Sequence, residues 1–108
     1  ITLLKKMLEH EEANIRWDSA IALAKMGSNS GKSVINNLLD RNYYDNYNNV
    51  DEKEQDEAIM VAIQISSQLK EPVFKTNLNI LASNLESNME IRDAAIKVLK
   101  DIYNKVEG

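Results

Sequence analysis

The sequence predicts an all-α fold, a solenoid of about three antiparallel helix pairs. Three observations carry this expectation. Apolar residues recur at helical spacing along nearly the whole chain, no stretch alternates with the period of a strand, and one short pattern returns three times at almost constant spacing. At 108 residues the chain has the length of one domain. A chain of that size buries about two thirds of the surface its unfolded form exposes, so a core is within reach without disulfide or structural metal.

In ITLLKKMLEH, Leu3, Leu4, Met7 and Leu8 share one helical face, with Lys5, Lys6 and Glu9 on the other. From Asn14 to Met26, a stripe of Ile15, Ser19, Ala22, Leu23 and Met26 is widened by Ala20, Ile21 and Ala24. A helix apolar over that much of its girth wants neighbours on more than one side. Gly27 suits a left-handed helix end, and Ser30 or Gly31 opens a third, shorter helix marked by Val34, Ile35, Leu38 and Leu39. The segment from Arg41 to Lys53 is rich in Asn and Tyr without a period, and reads as one long, exposed connection.

A fourth helix resumes near Asp51 or Glu52, with acids at its positive end. Its block from Ala58 to Ile63 is apolar all round and is expected to be the most buried segment. Pro72 marks a boundary, since proline is tolerated in the first turn of a helix and not inside it. Phe74, Leu78, Leu81 and Leu85 stripe a fifth helix, with a break at Glu86, Ser87 and Asn88. Ile91, Ala94, Ala95, Val98, Leu99, Ile102 and Val106 stripe a sixth, with Asp93 early and Lys100 and Lys105 late.

The second, fourth and sixth helices carry Asp18-Ser-Ala20-Ile21, Asp56-Glu-Ala58-Ile59 and Asp93-Ala-Ala95-Ile96, at offsets of 38 and 37 residues. A shorter amphipathic helix precedes each copy, which is the pattern of stacked two-helix units. The chain here resembles the HEAT-repeat family, and more loosely the armadillo repeats. Ile15, Arg16, Asp18, Ala20, Leu23 and Gly27 carry the resemblance in the first unit, and Ile91, Arg92, Ala95, Val98 and Leu99 in the third. The middle unit keeps Asp56, Ala58 and Val61 but has Glu54 near the place where the family pattern expects arginine. The resemblance implies one HEAT-like domain over 1–108, with units near 1–27, 30–70 and 72–106. The competing architecture is an ordinary four- or six-helix bundle, whereas a tetratricopeptide array fails on repeat length. The chain starts at Ile1 with a short, uncapped first helix, as expected of a piece of a longer solenoid.

Composition narrows the chemistry. There is no cysteine and one histidine, so thiolate catalysis and Cys-based zinc sites are excluded, and a reducing, cytoplasmic setting is expected. No apolar run approaches the roughly 18 residues of a membrane span. A net charge of −4 argues against a whole-surface attraction to nucleic acid, and the basic bias of Arg92, Lys97, Lys100 and Lys105 is confined to one helix.

Gly27 to Ser33, GSNSGKS, resembles a phosphate-binding loop but has three residues between its glycines where four are needed, and follows a helix instead of a strand. A turn with Ser30 capping the next helix explains the same letters. Iron-binding HEAT-like hydroxylases of the deoxyhypusine type use several His-Glu pairs, and only His10 and Glu11 match here. The acid pairs Asp51-Glu52 and Asp56-Glu57 read as helix-start acids, not as a general acid and base.

The residues that stand out for binding are Arg16 with Trp17, and Tyr43, Tyr44 and Tyr47. Trp and Arg are enriched at interface hot spots, and Trp also serves as half-buried core. The tyrosines either clamp the connection onto the helices or present an aromatic contact surface. The resulting expectation is a non-catalytic protein-interaction or scaffold module, without cofactor or catalytic residues, whose partner is another protein. The alternatives are an enzyme subunit that completes a metal site with another chain, and a weak nucleic-acid binder.

Overall fold

A computed structural model describes residues 2–85 and 88–103, so the features expected at Glu86, Ser87, Lys105 and Val106 lie outside the described residues. Every regular element among the described residues is helical. The six α-helices are α1 (Thr2–Met7), α2 (Ala13–Lys25), α3 (Lys32–Leu38), α4 (Glu52–Leu69), α5 (Lys75–Ser83) and α6 (Met89–Asp101), with 3₁₀ segments at Arg41–Asn46 and Pro72–Phe74. None of them is long and apolar enough to cross a membrane.

Helix α1 packs on α2 and α5 on α6, α3 packs against both α2 and α4, and α4 lies between α2 and α6. The molecule is flat, 41 × 30 × 16 Å. Its core is one continuous cluster: Ala20 and Ala24 of α2, Ile35 and Leu38 of α3, Ile59, Ala62 and Ile63 of α4, Leu78 and Leu81 of α5, and Ile91, Ala95 and Leu99 of α6. Ala58, Met60 and Val61 are half-buried, so the apolar block of α4 covers the core without lying wholly inside it.

The helix ends follow local chemistry. Gly27 sits at φ +82°, where the absence of a Cβ removes the left-handed penalty. It completes a paired C-terminal bond set, with Gly27 N donating to the Ala24 carbonyl and Ser28 N to the Leu23 carbonyl, each at 2.9 Å. Asp51 and Glu54 form a reciprocal capping box at the start of α4: Glu54 N donates to Asp51 Oδ1 at 2.9 Å and Asp51 N to Glu54 Oε1 at 3.3 Å.

Polar ties fasten one pair to the next. Asn77 donates to the Asn36 carbonyl at 3.0 Å, joining α5 to α3. Tyr103 donates to the buried Ser66 carbonyl at 2.9 Å, joining the end of α6 to α4. Glu71 accepts from Asn29 at 3.0 Å and from Lys32 at 3.2 Å, joining the turn after α4 to the turn after α2. Those two donors, Asn29 first, hold the Glu71 carboxyl below the usual carboxylate range.

Several expectations are corrected. The connection after α3 is not wholly exposed, because Arg41–Asn46 coils into a 3₁₀ helix and inserts Tyr44 into the core. Leu85 is 80% exposed beyond the end of α5, and Met26 is 54% exposed at the end of α2, so neither extends its stripe into the core. Ser30 does not cap α3; Gly31 takes that position, while Ser28 Oγ accepts from Ser30 N at 3.2 Å.

Candidate interaction site

Arg16 and Trp17 leave the first turn of α2 on the side where the 3₁₀ segment passes. Asp40 starts that segment by accepting from Asn42 N at 3.0 Å, which turns the chain back over α2. Arg16 and Trp17 thereby meet Tyr43, Tyr44 and Tyr47, and all five residues singled out in the sequence form one cluster. The Trp17 ring lies 5.3 Å from that of Tyr47 and 6.2 Å from those of Tyr43 and Tyr44, in edge-to-face arrangements. Such pairs contribute about 0.5–1.5 kcal/mol each beyond the burial of their area.

The polar tips are joined as well. Trp17 Nε1 donates to Tyr43 Oη at 3.2 Å, and the Tyr43 and Tyr47 hydroxyls are 3.1 Å apart. Arg16 donates to Tyr47 Oη at 2.9 Å, to the His10 carbonyl at 2.8 Å and to the Glu11 carbonyl at 3.0 Å. Its guanidinium is therefore a bracket between two loops. Burial works against ionisation of Tyr43, but hydrogen bonds from Tyr47, Trp17 and Arg16 outweigh it and lower its phenol. Tyr47 is raised, chiefly by its bond to Tyr43.

Tyr44 differs from its neighbours. It is 1% exposed and donates to the Leu38 carbonyl at 2.6 Å, so its ring belongs to the core and cannot reach a partner. Burial pushes its phenol well above the ordinary tyrosine value. Trp17, Tyr43 and Tyr47 stay half-buried and keep part of their surface in solvent. On the far side of the segment, Arg41 pairs with Asp56 at 2.8 Å, fixing the connection to α4.

Beside Trp17 the surface opens into two adjoining hollows of about 290 Å³ each, between the start of α2, the 47–50 strap and the start of α4. Glu12, Glu54 and Glu57 stand on their walls with Tyr47 and Val50. In the sequence Glu57 reads as a helix-start acid and Glu54 as a departure from the repeat pattern, and nothing marks Glu12 as a binding residue. Their convergence on Trp17 comes from the return of the 41–50 segment, which no local pattern announces.

The other motifs are absorbed into structure. His10 Nδ1 accepts from Glu12 N at 3.0 Å, so the ring ties down the turn before α2 and its Nδ1 lone pair is occupied. No group of three or more metal-ligating side chains occurs among the described residues. In the GSNSGKS turn, Lys32 is committed to Glu71, and Gly31 lies against α2 so closely that a Cβ would stand 2.9 Å from Ala20 Cα. On α6, Lys97 faces Asp101 at 3.5 Å. Comparison of the chain with protein-family models, with curated proteins and with solved structures yields no match.

Proposed function

We propose that the chain is a non-catalytic protein-interaction or scaffold module, built as a HEAT-like stack of about three helix pairs. The observation that carries this reading is the packing order. Each short helix packs against the longer one after it, α3 touching α2 as well, and the longer helices α2, α4 and α6 are neighbours in series. That order is what stacked two-helix units require, with the core distributed between units. The outer face of the first pair supports the same reading, since Leu4, Met7, Ile15 and Ala22 line an apolar hollow there. The ridge of second helices is the binding surface, and the absence of cysteine fits work in the cytoplasm.

A photo-cross-linker placed at exposed Asp18, Glu57 or Asp93 on the second helices, and at Thr76 or Asn79 on α5 as controls, tests the proposal in native extract. Capture of a discrete protein from the second-helix positions alone is expected. No discrete capture from any position, together with stoichiometric iron or zinc that is lost on His10→Ala, would replace the module by the enzyme-subunit reading.

A further inference from the structure

We infer that the cleft beside Trp17 receives a lysine- or arginine-bearing segment of the partner protein; the inference rests on the interaction-module reading and names its partner chemistry. Three observations combine. First, the cleft is side-chain-sized: each hollow of about 290 Å³ falls at the lower limit of pockets that hold whole small molecules. Secondly, its walls join half-buried aromatic rings, Trp17 and Tyr47, to three carboxylates from two different elements, and no lysine or arginine lines either hollow. Thirdly, those carboxylates retain capacity. Glu12 and Glu57 enter no ion pair among the described residues, and Glu54 uses one oxygen in the α4 capping box.

A cation over an indole face is attracted by the ring quadrupole, most strongly where the site is partly desolvated. The same cation is attracted by the three exposed carboxylates, an attraction that salt screens. An anionic side chain would meet repulsion, and a purely apolar one would gain nothing from the acids. Arg16, the nearest cation in sequence, lines neither hollow, its guanidinium being turned to the His10 and Glu11 carbonyls and to Tyr47, so its charge offsets the acids only from behind the wall. The bonds that hold Arg16 and the tyrosines also pre-set the Trp17 ring, so little ordering remains when the cation arrives.

Trp17 is the only tryptophan, so its fluorescence reports on the cleft directly. The intact chain is titrated with a short peptide alternating lysine and glycine, and with a counterpart carrying glutamine in place of lysine. A saturable change is expected with the lysine peptide alone, weakened by added salt and weakened about threefold or more in the Glu12→Gln/Glu57→Gln variant. Both substituted residues are exposed, so the variant should keep the wild-type melting temperature, which serves as the folding control. No saturable response to the lysine peptide, an equal response to the glutamine peptide, or undiminished affinity in the folded double variant would overturn the inference. If cross-linking from Asp18 or Asp93 still captures a partner in that event, the interaction module stands and only its basic ligand is lost.

Discussion

Replacing Tyr44 with phenylalanine removes a single oxygen from the core and tests two consequences of its burial. At neutral pH the hydroxyl donates to the Leu38 carbonyl at 2.6 Å, and Leu38 ends α3, where carbonyls lack an intrahelical acceptor role. The variant leaves that buried oxygen unpaired, which costs about 1–3 kcal/mol. The second consequence appears in alkali. An unfolded tyrosine ionises near pH ~10, whereas burial raises Tyr44 well above that and pushes Tyr103 up to about 12. For groups raised in the fold, the stabilising contribution is complete below the unfolded value and is lost as pH climbs towards the folded one. Each such tyrosine then removes about 1.4 kcal/mol per pH unit, so the two together approach about 2.7. Urea unfolding followed by far-UV circular dichroism, from neutral pH to about one unit above the free tyrosine value, should show Tyr44→Phe losing stability at neutral pH and losing the Tyr44 share of the alkaline slope, about 1.4 kcal/mol per pH unit. An unchanged slope, or wild-type stability at neutral pH, would refute the placement of this hydroxyl in the core.

The two glycines around the α2–α3 turn should respond differently to alanine. At Gly31 the new Cβ meets Ala20 Cα and Cβ at 2.9 Å, so backbone must move and thermal melts should report about 1–3 kcal/mol of destabilisation. At Gly27 the space is open and only the φ of +82° resists, so the loss should be about 1 kcal/mol. Asp51→Ala removes one half of the α4 capping box and should cost about 1 kcal/mol by chemical denaturation, with Asp51→Asn retaining most of it. Glu71 is held below its ordinary carboxyl value by Asn29 and Lys32, so its contribution is present above the unfolded value near ~4.3 and is lost as pH falls through the lower folded one. Melts through that acid range should fall less steeply in Glu71→Gln, and an identical acid dependence would remove Glu71 from the tie between turns.

The all-helical class was legible because α2, α4 and α6 each show a helical apolar period that burial follows: Ala20 and Leu23, Ile59 and Ile63, Ile91, Ala95 and Leu99. Helix ends were legible where one residue type serves one geometry, as Gly27 does at positive φ and Asp51 does at a helix start. The 41–46 segment was not, because a short 3₁₀ turn has no apolar period to display. Its order comes from Tyr44 entering a space made by α3 and α4, together with Arg41 reaching Asp56. The candidate site was half legible for the same reason. Trp17 and the three tyrosines were conspicuous as residue types, but which ring is core and which is surface depends on the direction in which the chain returns across α2.

The repeated Asp-x-Ala-Ile pattern takes on different work in each copy. Ala20 and Ala95 are fully buried, whereas in the middle copy Ala58 is half-buried and Ile59 takes the buried place, so α4 is turned by about one residue relative to its counterparts. Glu54, where the family pattern expects arginine, closes the α4 capping box, a task that an arginine cannot perform because it has no acceptor. The cation that reaches the middle aspartate comes instead from outside the helix, as Arg41 of the 3₁₀ segment bonded to Asp56 at 2.8 Å. Asp18 and Asp93, the equivalents of Asp56, are exposed and enter no ion pair among the described residues. The regular spacing therefore expresses a shared need for small and apolar residues between helices, not a shared ladder of charges. Where the middle copy departs from the others, the departure coincides with the segment that brings the tyrosines onto Trp17 and opens the acidic cleft beside it.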